Sequence, residues 1–164
     1  MIFVTVGTHE QSFERLIKKL DELVASGEIT DEVIIQKGYT DYEPTHCKAK
    51  ALIPAQDMAI YMQNADLVIS HGGPATYMAA VASNKPTLVV PRLSKFQEHV
   101  NDHQLDFANK INKASDYNLT VVTDMDDLAL RINEKLKGED DSKLANSNTD
   151  HFVDQFTNLL ESLI

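Results

Sequence analysis

Short apolar runs alternate along this chain with longer segments in which apolar residues recur every three or four positions. The runs at residues 2–6, 33–36, 48–53, 67–70, 87–90 and 120–122 predict strands. Several are unbroken Val- and Ile-rich stretches, the pattern of strands buried on both faces of a parallel sheet. Between the first two, Phe13, Leu16, Ile17, Leu20, Leu23 and Val24 mark one face of a helix, and Gly27 is placed to end it. Further helices are expected at 56–64, 74–83, 97–112, 126–137 and about 149–164. The alternation predicts an α/β fold with a doubly wound, mostly parallel, Rossmann-like sheet. Ligands of such sheets sit beyond the carboxyl ends of the strands, so the loops after each strand are the places to look for chemistry.

The polar, aperiodic stretch at about 138–148 predicts a flexible loop before the terminal helix. That helix sets Phe152, Phe156, Leu159, Leu160 and Leu163 on one stripe, read as a packing face on its own domain. No repeat or second core interrupts the pattern, and 164 residues suit a single domain over 1–164. No basic leader or long apolar stretch suggests a signal peptide or a membrane span. The lone Cys47 fits a reducing cytoplasm and cannot form an internal disulfide.

Charge narrows the partners. A formal net charge of −10 argues against nucleic acid and bare anionic membrane, both of which are bound through excess Lys and Arg. It does not argue against a small anion, because backbone amides at a helix N-terminus hold phosphate without side-chain charge.

The turn Ser70-His71-Gly72-Gly73-Pro74-Ala75-Thr76 is the most informative. Two glycines allow close approach, Pro74 suits a first helical position, and the amides of Gly72, Gly73, Ala75 and Thr76 are expected to form an anion cradle. The bland reading is a Gly-Gly turn that only packs helix on sheet. After the first strand, Gly7 and Thr8 offer a close turn and a hydroxyl, and His9 and Glu10 are either candidate bases or solvated helix-start residues. Lys37 follows the second strand as a possible phosphate partner or an exposed lysine. After the fifth strand come two cations, Arg92 and Lys95, and a cluster of polar side chains including Glu98, Asn101, His103 and Gln104, suited to sugar hydroxyls or to a solvated helix start. His99 and His103 share a helical face at a spacing that can suggest zinc, but no cysteine pair supports a metal site. Asp124-Met125-Asp126 is read as helix capping rather than metal binding.

Three segments, 4–11, 70–76 and 97–104, resemble the glycosyltransferase family 28 C-terminal domain, in the right order over nearly the whole chain. The likeness is nearest to short one-domain proteins of bacterial capsule and exopolysaccharide synthesis, which are similar to the catalytic subunit of the split N-acetylglucosaminyltransferase of N-glycan assembly. The resemblance implies the C-terminal half of a GT-B fold, a UDP-sugar donor, inversion at the anomeric carbon and no metal or other cofactor. It implies a membrane-associated subunit that supplies the other half of the cleft and a lipid-linked saccharide acceptor. The expected location is therefore cytoplasmic, peripheral at the inner membrane face. The sugar is expected to be galactose, otherwise N-acetylglucosamine; a non-catalytic accessory subunit is the alternative.

By position, the resemblance puts Gly7 and Thr8 on the diphosphate side and backbone groups near Ile53 on uracil. The amides of Gly72, Gly73, Ala75 and Thr76 take the diphosphate, and His103 and Gln104 contact the sugar, with Glu98 and Asn101 as weaker contributors. One departure stands out: the family usually grips the ribose with a glutamate three residues after the turn threonine, where this chain has Ala79.

Overall fold

Among the described residues, strands β1 (Ile2–Thr5), β2 (Val33–Gln36), β3 (Lys48–Lys50), β4 (Leu67–His71), β5 (Thr87–Val90) and β6 (Leu119–Val121) are interleaved with α-helices everywhere but between β2 and β3. The helices are α1 (Glu14–Ala25), α2 (Ala55–Asn64), α3 (Pro74–Ala82), α4 (His103–Ala114) and α5 (Leu128–Lys137). The structure is a computed structural model that describes residues 1–114, 117–139 and 158. The expected terminal helix and most of the expected loop at 138–148 lie outside the described residues. The six strands form one sheet in the order β3-β2-β1-β4-β5-β6, and every adjacent pair is parallel.

Strand periodicity explains the layers. Ile2 and Val4, Leu67 and Ile69, Leu88 and Val90 point to the face covered by α1 and α5, where Leu16, Ile17, Leu20, Leu128 and Ile132 are fully buried. Phe3 and Val68 point the other way, against Met62 of α2 and Ala80 of α3. Val89 and Leu119 pack on that side with Tyr77 and Val81 of α3 and with Ile111 of α4. Each large aliphatic residue so enclosed contributes roughly 1.5–3 kcal/mol relative to exposure.

Strand order reverses between β1 and β4, which makes the gap above that pair the topological switch point of the sheet. Two element boundaries differ from expectation in ways that shape this gap. The strand expected over 48–53 stops at Lys50, because the Ile53 N–H turns to the buried Gln36 side chain at 2.9 Å. The helix expected over 97–112 starts only at His103. Before it, Ser94–Phe96 form a 3-10 turn and Gln97 takes a left-handed φ of 58°, under ties to distant residues described below. Among the described residues, no helix is long and apolar enough to cross a membrane.

Candidate functional site

A cleft of about 490 Å³ opens at the switch point, between the loops after β1 and β4 and the facing sides of α2 and α3. Thr5 and Gln36 occupy paired positions on β1 and β2 and form its floor. Gln36 donates from Nε2 to Thr5 Oγ1 at 3.1 Å, and its Oε1 accepts the Ile53 N–H. Thr5 Oγ1 also accepts from the Gly7 N–H at 3.3 Å. Met58 and Met62 of α2 with Thr76 and Ala79 of α3 make the walls, and Thr8 and Ile53 lie on the rim. The Ile53 N–H is therefore committed to Gln36.

The β4–α3 turn is built as the glycines and Pro74 dictate: Gly73 caps α3 and Pro74 is its first residue. The cradle is narrower than expected. Thr76 N–H donates back to the Gly73 carbonyl at 3.1 Å, and Gly72 N–H donates to Gln104 Oε1 at 3.2 Å. That leaves the Gly73 and Ala75 N–H groups without a protein acceptor among the described residues, at the positive end of the α3 dipole. Gln104 Oε1 also accepts the Arg92 N–H at 3.1 Å, so this side chain joins the turn to the loop after β5. A Cβ on Gly72 would stand 2.5 Å from Gln104 Cβ, which explains a glycine there.

His71, the second residue of the 70–76 turn, ends β4 inside the cleft wall. Its ring packs between Gly7 and Gly73. Burial, then the nearby Arg92 guanidinium, hold its pKa down at about 4. The signal in the sequence was slight: it is the residue that closes an apolar run before two glycines.

The loop after β5 is a correction. Arg92 is not a cation for a ligand. It is fully buried, donates to the carbonyls of Val6 at 2.9 Å, Gln11 at 2.6 Å and Glu98 at 3.1 Å, and stacks on Phe13. Glu98, expected near the sugar, is 3% exposed and pairs in two contacts with Arg15, at 2.8 and 3.0 Å. Its Oε2 also accepts the Leu93 N–H at 3.0 Å. Asn101 Oδ1 accepts the His103 N–H at 3.2 Å, which makes Asn101 a cap for α4. His103 is exposed on the first turn of α4. His99 lies ahead of that helix, so the two histidines do not share a helical face. Lys37 is paired with Glu43, and Asp124 caps the 3-10 turn before α5 by accepting the Asp126 N–H at 2.9 Å.

His9 and Glu10 lie outside the cleft wall. His9 Nδ1 accepts the Gln11 N–H at 3.1 Å, which assigns the proton of the neutral ring to Nε2 and makes its free edge a donor rather than a base. The ring stands 4.8 Å from that of His99, tilted by 45°. Burial and then Arg92 and His99 lower the His9 pKa, while Glu10 raises it.

The parallel sheet, the cleft at its switch point and the amides of α3 define a Rossmann-like ligand-binding domain of the kind that forms the C-terminal half of GT-B glycosyltransferases. The sequence profile of the glycosyltransferase family 28 C-terminal domain matches residues 1–161, and the chain belongs to that family. No curated protein sequence is a significant match. Among solved structures, the spinosyn forosaminyltransferase SpnP is similar with a TM-score of 0.64 at 14% identity, over 99% of this chain and 43% of that one. The glycosyltransferase VinC, solved in complex with DTDP, gives 0.55 at 14% identity, over 98% and 40%. The solution structure of ALG13 gives 0.50 at 19% identity, over 92% of both chains. At these identities the likeness is one of fold. The chain spans about two-fifths of the length of SpnP and VinC.

Proposed function

We propose that this chain is the donor-binding, catalytic subunit of an inverting glycosyltransferase. In this reading it moves galactose, otherwise N-acetylglucosamine, from a UDP-sugar to a lipid-linked saccharide, without a metal or other cofactor. The observation that carries the reading is the cleft at the β1/β4 switch point, lined by Thr8, His71 and Thr76, at the N-terminal end of α3, where the Gly73 and Ala75 N–H groups have no protein acceptor among the described residues. Amide dipoles suit a diphosphate that gains charge as its bond to the sugar breaks. The apolar sides contributed by Ile53, Met58 and Met62 suit the face of a base and a ribose held without a carboxylate, as Ala79 requires. His103 and Gln104 are proposed to reach the sugar.

The acceptor and a base are proposed to come from a membrane-associated partner that forms the opposite wall, at the inner face of the membrane. Support comes from the length comparison with SpnP and VinC and from the likeness to the short ALG13 chain. A thermal-shift series tests the donor site: a uridine nucleotide at 100 times its dissociation constant is expected to stabilise the fold by about 2.7 kcal/mol. No response to any uridine nucleotide at millimolar concentration would remove the reading for the isolated chain.

The second reading is a non-catalytic subunit that stabilises a partner transferase. It is favoured by the position of His9 and Glu10 outside the cleft wall. Transfer assayed with the co-expressed partner separates the two, since His103→Ala leaves activity unchanged only under the accessory role.

A further inference from the structure

We propose that the His9–His99 ring pair is a proton-released latch: it holds the loop after β1 to the loop after β5 while both rings are neutral, and mild acid opens it and frees the start of α4. The device stands whichever ligand the cleft takes.

Two loops meet at this pair. The rings of His9 and His99 stand 4.8 Å apart at a tilt of 45°, and both residues are half-buried. Each ring does the same local work. His9 Nδ1 accepts the Gln11 N–H at 3.1 Å, and His99 Nδ1 accepts the Asn101 N–H at 3.4 Å. A neutral imidazole does this with its proton on Nε2. A protonated one cannot, because both nitrogens are then donors and an N–H would face an N–H.

The two turns hold more than themselves. Gln11 donates from Nε2 to the Gln97 carbonyl at 3.0 Å, a second tie between the loops. Asn101 accepts the His103 N–H through Oδ1 at 3.2 Å, so the amide fixed by His99 belongs to the residue that caps α4. The base of the loop after β5 is anchored separately. Arg92 donates to the carbonyls of Val6 and Gln11, and Arg15 pairs with Glu98. Opening the latch therefore leaves the sheet and its core in place and is confined to residues 8–11 and 97–104.

The surrounding charges set the direction. Facing His9 are Arg92 and His99 from the loop after β5, His71 at the end of β4, and Glu10 beside it. Facing His99 are His9, His71 and the Asp102 carboxylate. The Glu98 carboxylate next to it is committed to Arg15 and the Leu93 N–H. The first imidazolium to form adds a positive charge in contact with the other ring. Burial first, then Arg92 and His99, hold the His9 pKa below its ordinary value of 6.5, against the pull of Glu10. A folded-state value below the unfolded one gives a stabilisation that is complete above 6.5 and is lost as pH falls through the folded value. The latch is closed at neutral pH and opens in acid.

NMR of the full chain between pH 8 and pH 4.5 tests this by following both histidine rings and the solvent exchange of the Gln11 and Asn101 amides, each relative to its intrinsic rate. The native chain should show a His9 midpoint below 6.5 that rises in His99→Asn. Protection of both amides should fall through that midpoint, by up to about tenfold per pH unit. Asparagine keeps an acceptor near the Nδ1 position but does not titrate, so protection in the double variant His9→Asn/His99→Asn should stay flat over the same range. A His9 midpoint indifferent to His99→Asn overturns the proposal. So does protection that stays flat in the native chain, or that falls equally in the double variant. Loss at Gln11 without loss at Asn101 also overturns it, because the two loops are then not released together.

Discussion

Arg92 shows how much a single residue's role depends on where its chain turns. A cation in a loop beside a suspected anion site looks like a ligand contact, yet here it has no exposed surface and spends its protons on four loop carbonyls. Burial lowers its pKa to about 10, with Glu98 acting in the opposite sense, so it stays charged at neutral pH. Removing it would strand those carbonyls. Arg92→Met is expected to cost ~3 kcal/mol in urea unfolding, and Arg92→Lys is expected to recover little, because an ammonium cannot fork to carbonyls on separate loops. Gly7 makes the complementary case. Its φ is 74°, and a Cβ there would run into the His71 ring. Gly7→Ala is expected to lose about 1–2 kcal/mol from the backbone alone, with a further loss from the contact, read as a lowered midpoint in thermal unfolding.

Elements are held in register by a few buried polar side chains. Gln104, in the first turn of α4, accepts from the amides of Gly72 and Arg92 and so fixes α4 against the turn that opens α3. Gln104→Leu keeps the bulk and loses the acceptor. It is expected to cost about 1–3 kcal/mol and to weaken binding at the α3 N-terminus, which unfolding and nucleotide titration measure separately. Asp21 of α1 does similar work for the 42–47 loop, accepting from the Tyr42 hydroxyl and from the amides of Thr45, His46 and Cys47. Burial alone would raise its pKa, but these four donors more than offset it and hold it below the ordinary value of 3.8. A folded-state pKa that is depressed adds stability above the unfolded value and loses it as pH falls through the folded one. The stability gap between the native chain and Asp21→Asn should therefore be full at pH 5 and shrink toward pH 2, as denaturant midpoints will report.

At the scale of the whole molecule, the ligand side is one edge of the sheet. The end of β2 and the loops after β1, β3 and β4 converge on the switch point, while α5 packs on one face of the sheet with α1. Ligand binding is expected to slow hydrogen exchange at Gly73 and Ala75 and in the turn at Gly7, and to leave local exchange in α5 unchanged. Protection spread evenly over the molecule would instead indicate a general stabilisation without a seat at this edge.

Sequence alone determined the architecture. Unbroken Val–Ile runs bounded by turn residues favour strands buried on both faces, and three- and four-residue spacing favours helices laid against them, so the doubly wound class followed from local pattern and solvation. The turn at 72–76 was legible for the same reason, since glycine and proline act on their own backbone. Tertiary structure decided what faced the cleft. Whether Arg92 and Glu98 met a ligand or other loops depended on loops brought together from β1 and β5, where the partner of Arg92 is as much as 86 residues away in sequence. His71 was decided in the same way: it is a cleft residue because two glycines from different loops leave room for its ring.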